Sequence, residues 1–354
     1  MSEDIFRQLQ KRLDRYSMGF PETKSGIELK ILKYLFSEDD AEMFLSLSHE
    51  LESPESVSSR FSRPPEEVAA LLDDMAERGL LFRQKKGGAV RYAAIPFVHG
   101  LFEFQVKNIE REFSEMVQQY FEEGFHRAIE NGAEYFLRTV PVHESVKTGY
   151  NVAAYEDAVE ILRGKDKIVV TDCICRKSMK IIDRSCDKPL EACFMFGSMG
   201  QYYLDRKMGR KVDVDEAKEI LLKCHEAGLV TQPATAQNPG GMCNCCGDCC
   251  GVMRALNRHP KPAEIVFSNH YAVVDTGLCT GCETCIDRCQ MEAVTLSEGV
   301  CEISLDRCIG CGLCVTTCPA GALELVTKPE EEYRTPPENT SEQMMLMAQK
   351  RGLV

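Results

Sequence analysis

The amino-acid sequence predicts an α+β protein built from several regions. The chain has 354 residues, which is more than one compact domain usually holds. Helical periodicities alternate along it with short strand patterns, and 19 cysteines recur at regular spacings. These observations predict five segments, which are residues 1–98, 99–164, 165–262, 263–327 and a tail at 328–354.

Residues 1–98 carry a pattern of helices followed by a hairpin. Helical spacing of apolar residues covers 26–36 and 41–47, and a third helix at 65–78 has Pro at its start and Gly79 after its end. Strand-like residues then flank the pair Gly87-Gly88, which predicts a β-hairpin. Three helices and a hairpin resemble a winged helix.

Charge argues against DNA binding by this winged-helix-like segment. Residues 26–95 contain 9 Lys plus Arg and 13 Asp plus Glu, and the whole chain has a formal net charge of −13. Phosphate contacts dominate DNA affinity, so an acidic surface disfavours a nucleic-acid partner. The basic hairpin residues 83–86 are the best contrary sign. We therefore expect a role in packing or protein docking.

The second segment and the tail are predicted to be mainly helical. In 99–164, apolar residues from Phe102 to Phe125 recur every three to five positions, which predicts a helical connector with a core-packing or interface stripe. The tail has the pair Pro336-Pro337 before a short Met-rich helix, and we expect it to be ordered only against a partner.

The segment 165–262 is predicted to be a mostly helical, cysteine-rich domain. A strand at 168–171 leads into a Cys-x-Cys motif, and a helix follows at 215–227. So many cysteines in an unexported protein indicate metal binding, although a disulfide cluster is the alternative. We expect two groups to meet and bind one or two iron–sulfur clusters. The candidate ligands are Cys173, Cys175, Cys186, Cys193, Cys243, Cys245, Cys246, Cys249 and Cys250.

The segment 263–327 contains a duplicated four-cysteine motif. The first copy runs from Cys279 to Cys289, the second repeats its spacing from Cys308 to Cys318, and Gly residues let each loop wrap closely. Three cysteines at this spacing bind one [4Fe–4S] cluster and the fourth binds the other. The spacing predicts two [4Fe–4S] clusters rather than zinc. Cluster I takes Cys279, Cys282, Cys285 and Cys318, and cluster II takes Cys308, Cys311, Cys314 and Cys289.

These motifs resemble two known groups of proteins. The duplicated motif resembles bacterial two-cluster ferredoxins, with Gln290 in place of the proline usual after the fourth cysteine. The order of Cys-Ile-Cys-Arg at 173–176 and the cysteine-dense stretch 243–250 resembles the 4Fe–4S ferredoxin iron–sulfur binding domain proteins of anaerobes. That resemblance implies a winged-helix-like start, a cysteine-rich middle and a ferredoxin-like end, but no defined reaction.

Other candidate residues are expected to be structural. Cys224 and Cys301 fit core positions, and His225, His259 and His270 are possible but less favoured ligands. Arg176 could neutralise a cluster or hold an anionic partner, with a surface ion pair as the alternative. The turn 238–241 lacks the residues of a phosphate loop, and we find no nucleotide or flavin motif.

Three hypotheses for function follow. The first is a cytoplasmic electron-transfer protein of an anaerobe, relaying low-potential electrons between the ferredoxin-type clusters, the upstream cysteines and a protein redox partner. The second is a reductase whose catalytic iron–sulfur site lies at the upstream cysteines. The third is a redox-sensing regulator that reads DNA with the winged helix. The sequence predicts no signal peptide and no membrane span.

Overall fold

The structure is a computed structural model that describes residues 4–61, 63–130, 133–142, 145 and 153–354. It mixes helices and strands, as the α+β prediction required. Part of the predicted helical connector falls on 131–132, 143–144 and 146–152, which lie outside the described residues. Among the described helices, none has the length and apolar character needed to cross a bilayer.

In the described part of the N-terminal segment, residues 4–61 and 63–98, five helices and a hairpin are present. The predicted helices and hairpin are present, and Ser37 begins the third helix with a capping box to Asp40. Their arrangement as a winged helix stays a prediction. The elements are α1 (Ile5–Asp14), α2 (Ile27–Leu35), α3 (Glu38–Ser46), α4 (Pro54–Ser58), α5 (Pro65–Glu77), β1 (Phe82–Lys86) and β2 (Ala89–Ala93).

The connector places its apolar stripe in the core. Phe102 and Tyr120 are fully buried and Phe113 nearly so, which confirms the core-packing interpretation. The helices described here are α6 (Arg111–Tyr120), α7 (His126–Glu130) and α8 (Ala158–Arg163), and a π-helical turn at Phe121–Phe125 joins the first two. The stripe joins the N-terminal helices to the cysteine-rich region through one continuous set of buried side chains.

The cysteine-rich region is organised by an antiparallel sheet that the sequence only partly predicts. Its strands are β3 (Ile168–Asp172), β4 (Glu191–Phe196), β5 (Arg210–Val212), β6 (Val230–Pro233) and β7 (Gly241–Cys245). Their spatial order is β5-β3-β4-β7-β6. The surrounding helices are α9 (Ile174–Ile181), α10 (Gly197–Asp205), α11 (Val214–Glu226), α12 (Gly251–Arg258) and α13 (Pro262–Ile265). A mostly helical prediction therefore missed four of the five strands.

The C-terminal unit shows the duplication in its backbone. Strand β8 (His270–Val274) pairs with β11 (Leu323–Thr327), and β9 (Val294–Ser297) pairs with β10 (Val300–Ile303). A short helix carries the third cysteine of each copy, and these helices are α14 (Thr284–Arg288) and α15 (Leu313–Thr316). The two helices begin at equivalent positions of the two copies, and so do β9 and β11.

The tail packs against its own chain, so the expectation that it requires a partner is wrong. Its helix α16 (Thr340–Lys350) buries Met347 completely. Gln343 Nε2 donates to the Phe136 carbonyl at 3.1 Å, and Arg351 Nη1 donates to the Ser17 carbonyl at 2.9 Å. Backbone carbonyls of the N-terminal and connector segments therefore accept hydrogen bonds from Gln343 in this helix and from Arg351 just after it.

Candidate metal centres

Backbone N–H groups point at sulfur atoms throughout the C-terminal unit. Each such bond has a counterpart at the equivalent positions of the other copy, so the repeat extends to hydrogen bonding. The four bonds run from Ala272 to Cys308 (3.4 Å), Cys301 to Cys279 (3.3 Å), Ala293 to Cys289 (3.2 Å) and Ala322 to Cys318 (3.3 Å). Donors of this kind stabilise negative charge on thiolates, which fits cluster binding.

Two glycines allow the cysteine loops to wrap closely. Gly281 and Gly310 both have positive φ, at +67° and +66°. A Cβ at Gly281 would lie 2.4 Å from the Gly299 carbonyl oxygen, and one at Gly310 would lie 2.1 Å from that of His270. Only glycine fits both the conformation and the space. The loops are therefore shaped around the sulfur positions.

The two sets of predicted ligands differ in exposure. We call Cys279, Cys282, Cys285 and Cys318 the outer set, and Cys289, Cys308, Cys311 and Cys314 the inner set. Cys282 is exposed, and the neighbouring Leu278 keeps 53% of its surface accessible. In the inner set, the Cys311 carbonyl accepts a hydrogen bond from Val142 N at 3.0 Å, and burial raises the pKa of Cys311 to about 12. The inner set faces the body of the protein.

The structure brings the nine upstream cysteines together in two groups. Six thiols form a closed ring in which each interacts with two neighbours, in the order Cys173, Cys193, Cys243, Cys245, Cys250 and Cys175. All six line one cavity. We call this group the thiol ring. All nineteen cysteines lie in the described part of the chain, and none of them is joined in a disulfide bond.

Strand alternation and helix ends position the ring. Cys243 and Cys245 lie two apart on β7 and so share a face, while Asn244 between them points away and donates to the Ala192 carbonyl at 2.9 Å. Cys173 and Cys250 are the N-cap residues of α9 and α12, respectively. Helix N-termini favour negative charge, so two of the six positions suit thiolates.

The remaining three upstream cysteines form a separate group. Cys186 Sγ lies 3.8 Å from Cys246 Sγ and 3.6 Å from Cys249 Sγ, and all three sulfurs lie within 4.8 Å of one another. We call this group the thiol triad. The Cys249 thiol and the Arg176 guanidinium lower the pKa of Cys246 to about 6. Cys186 is half-buried, whereas Cys246 and Cys249 are buried.

Arg176 lies buried beside both groups. Its side chain is fully inaccessible, so the surface ion-pair alternative is wrong. Nε donates to the Pro189 carbonyl at 2.7 Å, and Nη1 contacts Cys246 Sγ at 3.9 Å. Nη2 has no hydrogen-bond partner among the described residues. A buried guanidinium requires an anion nearby. Thiolates carrying a metal cofactor supply that charge, so these residues fit such a group.

His99 and Glu103 belong to the ring cavity, and sequence reasoning missed both. His99 Nε2 lies 3.9 Å from Cys243 Sγ, and its ring stacks on Phe136. Burial opposes the charge on His99, but the facing Glu103 and the Cys243 thiol raise its pKa to about 9. Burial raises the pKa of Glu103 to about 7. The contact joins two residues that are far apart in the sequence, so it leaves no local signal.

The residues expected to be structural occupy structural positions. Cys224 is fully buried, and burial raises its pKa to about 12. Cys301 is buried in β10. His225 Nε2 lies 2.9 Å from Thr231 Oγ1, and burial lowers the pKa of His270. His259 Nδ1 accepts from Lys261 N at 3.1 Å.

Gln290 connects the inner set to the thiol triad. It follows Cys289, and its side-chain oxygen accepts a hydrogen bond from Gly247 N at 2.8 Å. Gly247 lies between Cys246 and Cys249. A Cβ at Gly247 would approach the Gln290 carbonyl oxygen to 2.9 Å, so the two loops are in close contact. The residue that departs from the ferredoxin pattern thus touches the loop that carries the upstream cysteines.

The comparison with known families agrees with the geometry of the C-terminal unit. Residues 278–323 match the family model of the 4Fe-4S dicluster domain. The chain therefore contains a 4Fe–4S ferredoxin-type domain, which binds iron–sulfur clusters and gives the protein the capacity for electron transfer. A comparison with curated proteins finds no significant match to the chain.

Proposed function

We propose that this protein is an iron–sulfur electron-transfer protein that connects a redox partner at the outer set with an upstream iron–sulfur site at the thiol ring. The Gln290–Gly247 contact is the main support for this proposal. It joins the loop after an inner-set cysteine to the loop that supplies several of the upstream thiols. Bound [4Fe–4S] clusters exchange single electrons at potentials set by hydrogen bonds, charge and burial.

The ligand assignment in this proposal follows the two sets. The outer set holds cluster I and the inner set holds cluster II, each with paired N–H donors to sulfur. The six thiols of the ring hold the upstream iron–sulfur cofactor. Around the ring, Arg176 and the N-termini of α9 and α12 offset its negative charge. Nineteen free thiols fit a reducing, cytoplasmic environment.

The outer face supports a protein partner with basic surface. Glu283 and Asp287 are exposed next to the outer-set cysteines, and Leu278 adds an exposed apolar side chain. Acidic residues around an apolar contact favour docking of a positively charged protein, with an association rate that falls as salt rises. We propose that electrons enter or leave the protein at this face.

A reductase is the second candidate, and one observation favours it. His99 and Glu103 are protonatable side chains in the ring cavity, and His99 contacts a ring thiol. Chemistry that adds protons as well as electrons requires such groups beside the cofactor. In this alternative, the chain is an iron–sulfur oxidoreductase subunit. Turnover of a small molecule that is lost in His99→Phe, with iron content retained, would distinguish it from electron transfer alone.

Rapid-freeze EPR after reduction by a low-potential protein donor tests the electron-transfer proposal. We expect the ferredoxin-type signals to appear before the upstream signal. In Cys311→Ser, which removes an inner-set ligand, the upstream signal should form at least about tenfold more slowly. Cys224→Ser is the control, because this buried cysteine is outside both upstream groups. An unchanged upstream rate in Cys311→Ser, with cluster II absent, would refute the proposed connection.

A further inference from the structure

We propose that the thiol triad binds a single Zn²⁺ ion instead of contributing to an iron–sulfur cluster. Two sulfur–sulfur separations are 3.8 Å and 3.6 Å, and the third is below 4.8 Å. Tetrahedral zinc with Zn–S bonds of about 2.3 Å places its thiolate sulfurs about 3.8 Å apart. The three thiols therefore converge on one point at the spacing that one zinc ion requires.

The ferredoxin-type domain provides an internal standard for the spacing of cubane ligands. Each cysteine of a cubane binds a different iron, so its ligand sulfurs are held apart by the whole cluster. All eight predicted ligands of that domain are described, and no hydrogen bond of the structure joins the thiols of any two of them. The triad sulfurs are in direct contact, unlike that set.

The thiol ring also differs from the triad. Its thiols line the wall of a cavity, and within the described residues the triad is the one group of three or more potential ligands that falls inside 4.8 Å. The ring sulfurs therefore line a cavity, whereas the triad sulfurs lie close enough together to bind one metal ion. The adjacent residues Cys245 and Cys246 fall on opposite sides of this division, because Cys245 ends β7 and Cys246 begins the following turn.

Sequence spacing and charge support a zinc ion at the triad. Cys246 and Cys249 have the Cys-x2-Cys spacing common in zinc sites, and Cys186 is the third ligand. Three thiolates and one Zn²⁺ leave one negative charge, which the buried Arg176 beside Cys246 balances. The half-exposed Cys186 gives the ion a path from solvent.

The fourth coordination position of this ion is assigned to solvent. Across the described residues, no fourth His, Cys, Asp or Glu donor joins the three sulfurs. Asp248, which lies between Cys246 and Cys249 in the sequence, forms a 2.6 Å ion pair with Lys188. Three protein ligands and one open position define a reactive rather than a purely structural zinc site.

Metal analysis of the full chain, purified anaerobically from cells supplied with iron and zinc, tests this inference. We expect about one zinc per chain in the wild type. Cys186→Ser and Cys249→Ser should each lower zinc at least about fivefold and leave iron unchanged. Cys224→Ser, a buried cysteine outside both groups, should keep both metals. Zinc absent from the wild type, together with about four iron atoms lost in Cys186→Ser, would show instead that the triad binds a cluster.

Zinc-edge X-ray absorption on the wild-type protein keeps the test decisive if the variants misfold. We expect a first shell of about three sulfurs at about 2.3 Å and one lighter atom. A shell of nitrogen and oxygen alone would identify surface-bound zinc and overturn the assignment. The proposed electron transfer is measured by iron content and EPR, so either proposal can fail while the other stands.

Discussion

The C-terminal domain and the thiol ring bring their cysteines together in opposite ways. The first copy of the ferredoxin-type motif places four cysteines between Cys279 and Cys289, on one loop and one short helix. The ring draws six from β4, β7 and the starts of α9 and α12. One site is encoded locally and stays partly exposed, whereas the other exists only in the tertiary fold and is buried. Sequence spacing alone therefore predicts the ferredoxin-type site, but it does not predict which cysteines form the thiol ring.

The largest expected difference comes from two adjacent residues. Cys245→Ser removes a ring thiol and should lower iron by about four atoms per chain or more, with zinc retained. Cys246→Ser removes a triad thiol and should lower zinc, with iron retained. Iron, zinc and sulfide quantification with EPR measures both. The same metal lost in both variants would mean that ring and triad form one site.

Replacing Arg176 should affect the upstream site strongly and the C-terminal domain little. Arg176→Met leaves the thiolate charge uncompensated, and breaking a buried charge interaction costs about 3–5 kcal/mol. Because the reduced cofactor carries more negative charge, we expect its midpoint potential to fall by on the order of 100 mV, given about 60 mV per 1.4 kcal/mol for one electron. Redox titration followed by EPR reports the potential.

The matched control for Arg176 is Arg210. It lies on β5 of the same sheet, pairs with Glu191 at 2.7 Å and is 47% exposed. Surface ion pairs contribute about 0–1 kcal/mol, so Arg210→Met should leave every potential unchanged. Arg176→Lys should restore part of the shift. Equal shifts in the upstream and ferredoxin-type signals of Arg176→Met would argue against a specific effect of Arg176 on the upstream site.

A smaller difference is expected within the C-terminal domain itself. Because Cys282 is exposed and Cys311 is only partly accessible, we expect mild oxidation followed by a chelator to remove the outer cluster first. Iron should fall by about four atoms per chain before the inner-set EPR signal declines. Simultaneous loss of both ferredoxin-type signals would show that exposure does not decide the order.

The smallest expected effect concerns the contact between the two regions. Gln290→Ala removes the acceptor for Gly247 N, and one such hydrogen bond contributes about 1 kcal/mol. We expect unchanged metal content and a slower appearance of the upstream EPR signal, by a few-fold. Gln237→Ala is the control, because Gln237 donates to Pro336 in the tail at 3.1 Å, away from this contact. If the upstream EPR signal appears at the same rate in Gln290→Ala and Gln237→Ala, Gln290 does not contribute to electron transfer between the two regions.

Several features were predictable from the sequence because their causes are local. The hairpin at Gly87-Gly88, the helix after Pro64 and the duplicated cysteine motif all depend on nearby residues, and the structure contains each. The shared face of Cys243 and Cys245 was predictable from strand alternation, once 241–245 was recognised as a strand. That strand was missed because its cysteines replace the usual β-branched residues.

Other features depend on long-range packing and left no mark in the sequence. His99 lies beside Cys243 although 144 residues separate the two in the chain. The separation of Cys245 from Cys246 follows from the end of β7, and the burial of Arg176 follows from two loops closing over it. The tail helix finds its acceptors, such as the Phe136 carbonyl, in a distant part of the chain.

The dispersed origin of the thiol ring has a consequence for biogenesis. A single short loop with three cysteines can capture iron and sulfide while the rest of the chain is still unfolded. Six thiols drawn from Cys173 to Cys250 meet only after the sheet has formed. We therefore expect the ring cofactor to be inserted late, into a folded apoprotein. Expression with limiting iron should yield molecules with a filled C-terminal domain and an empty ring, and the reverse species should not accumulate.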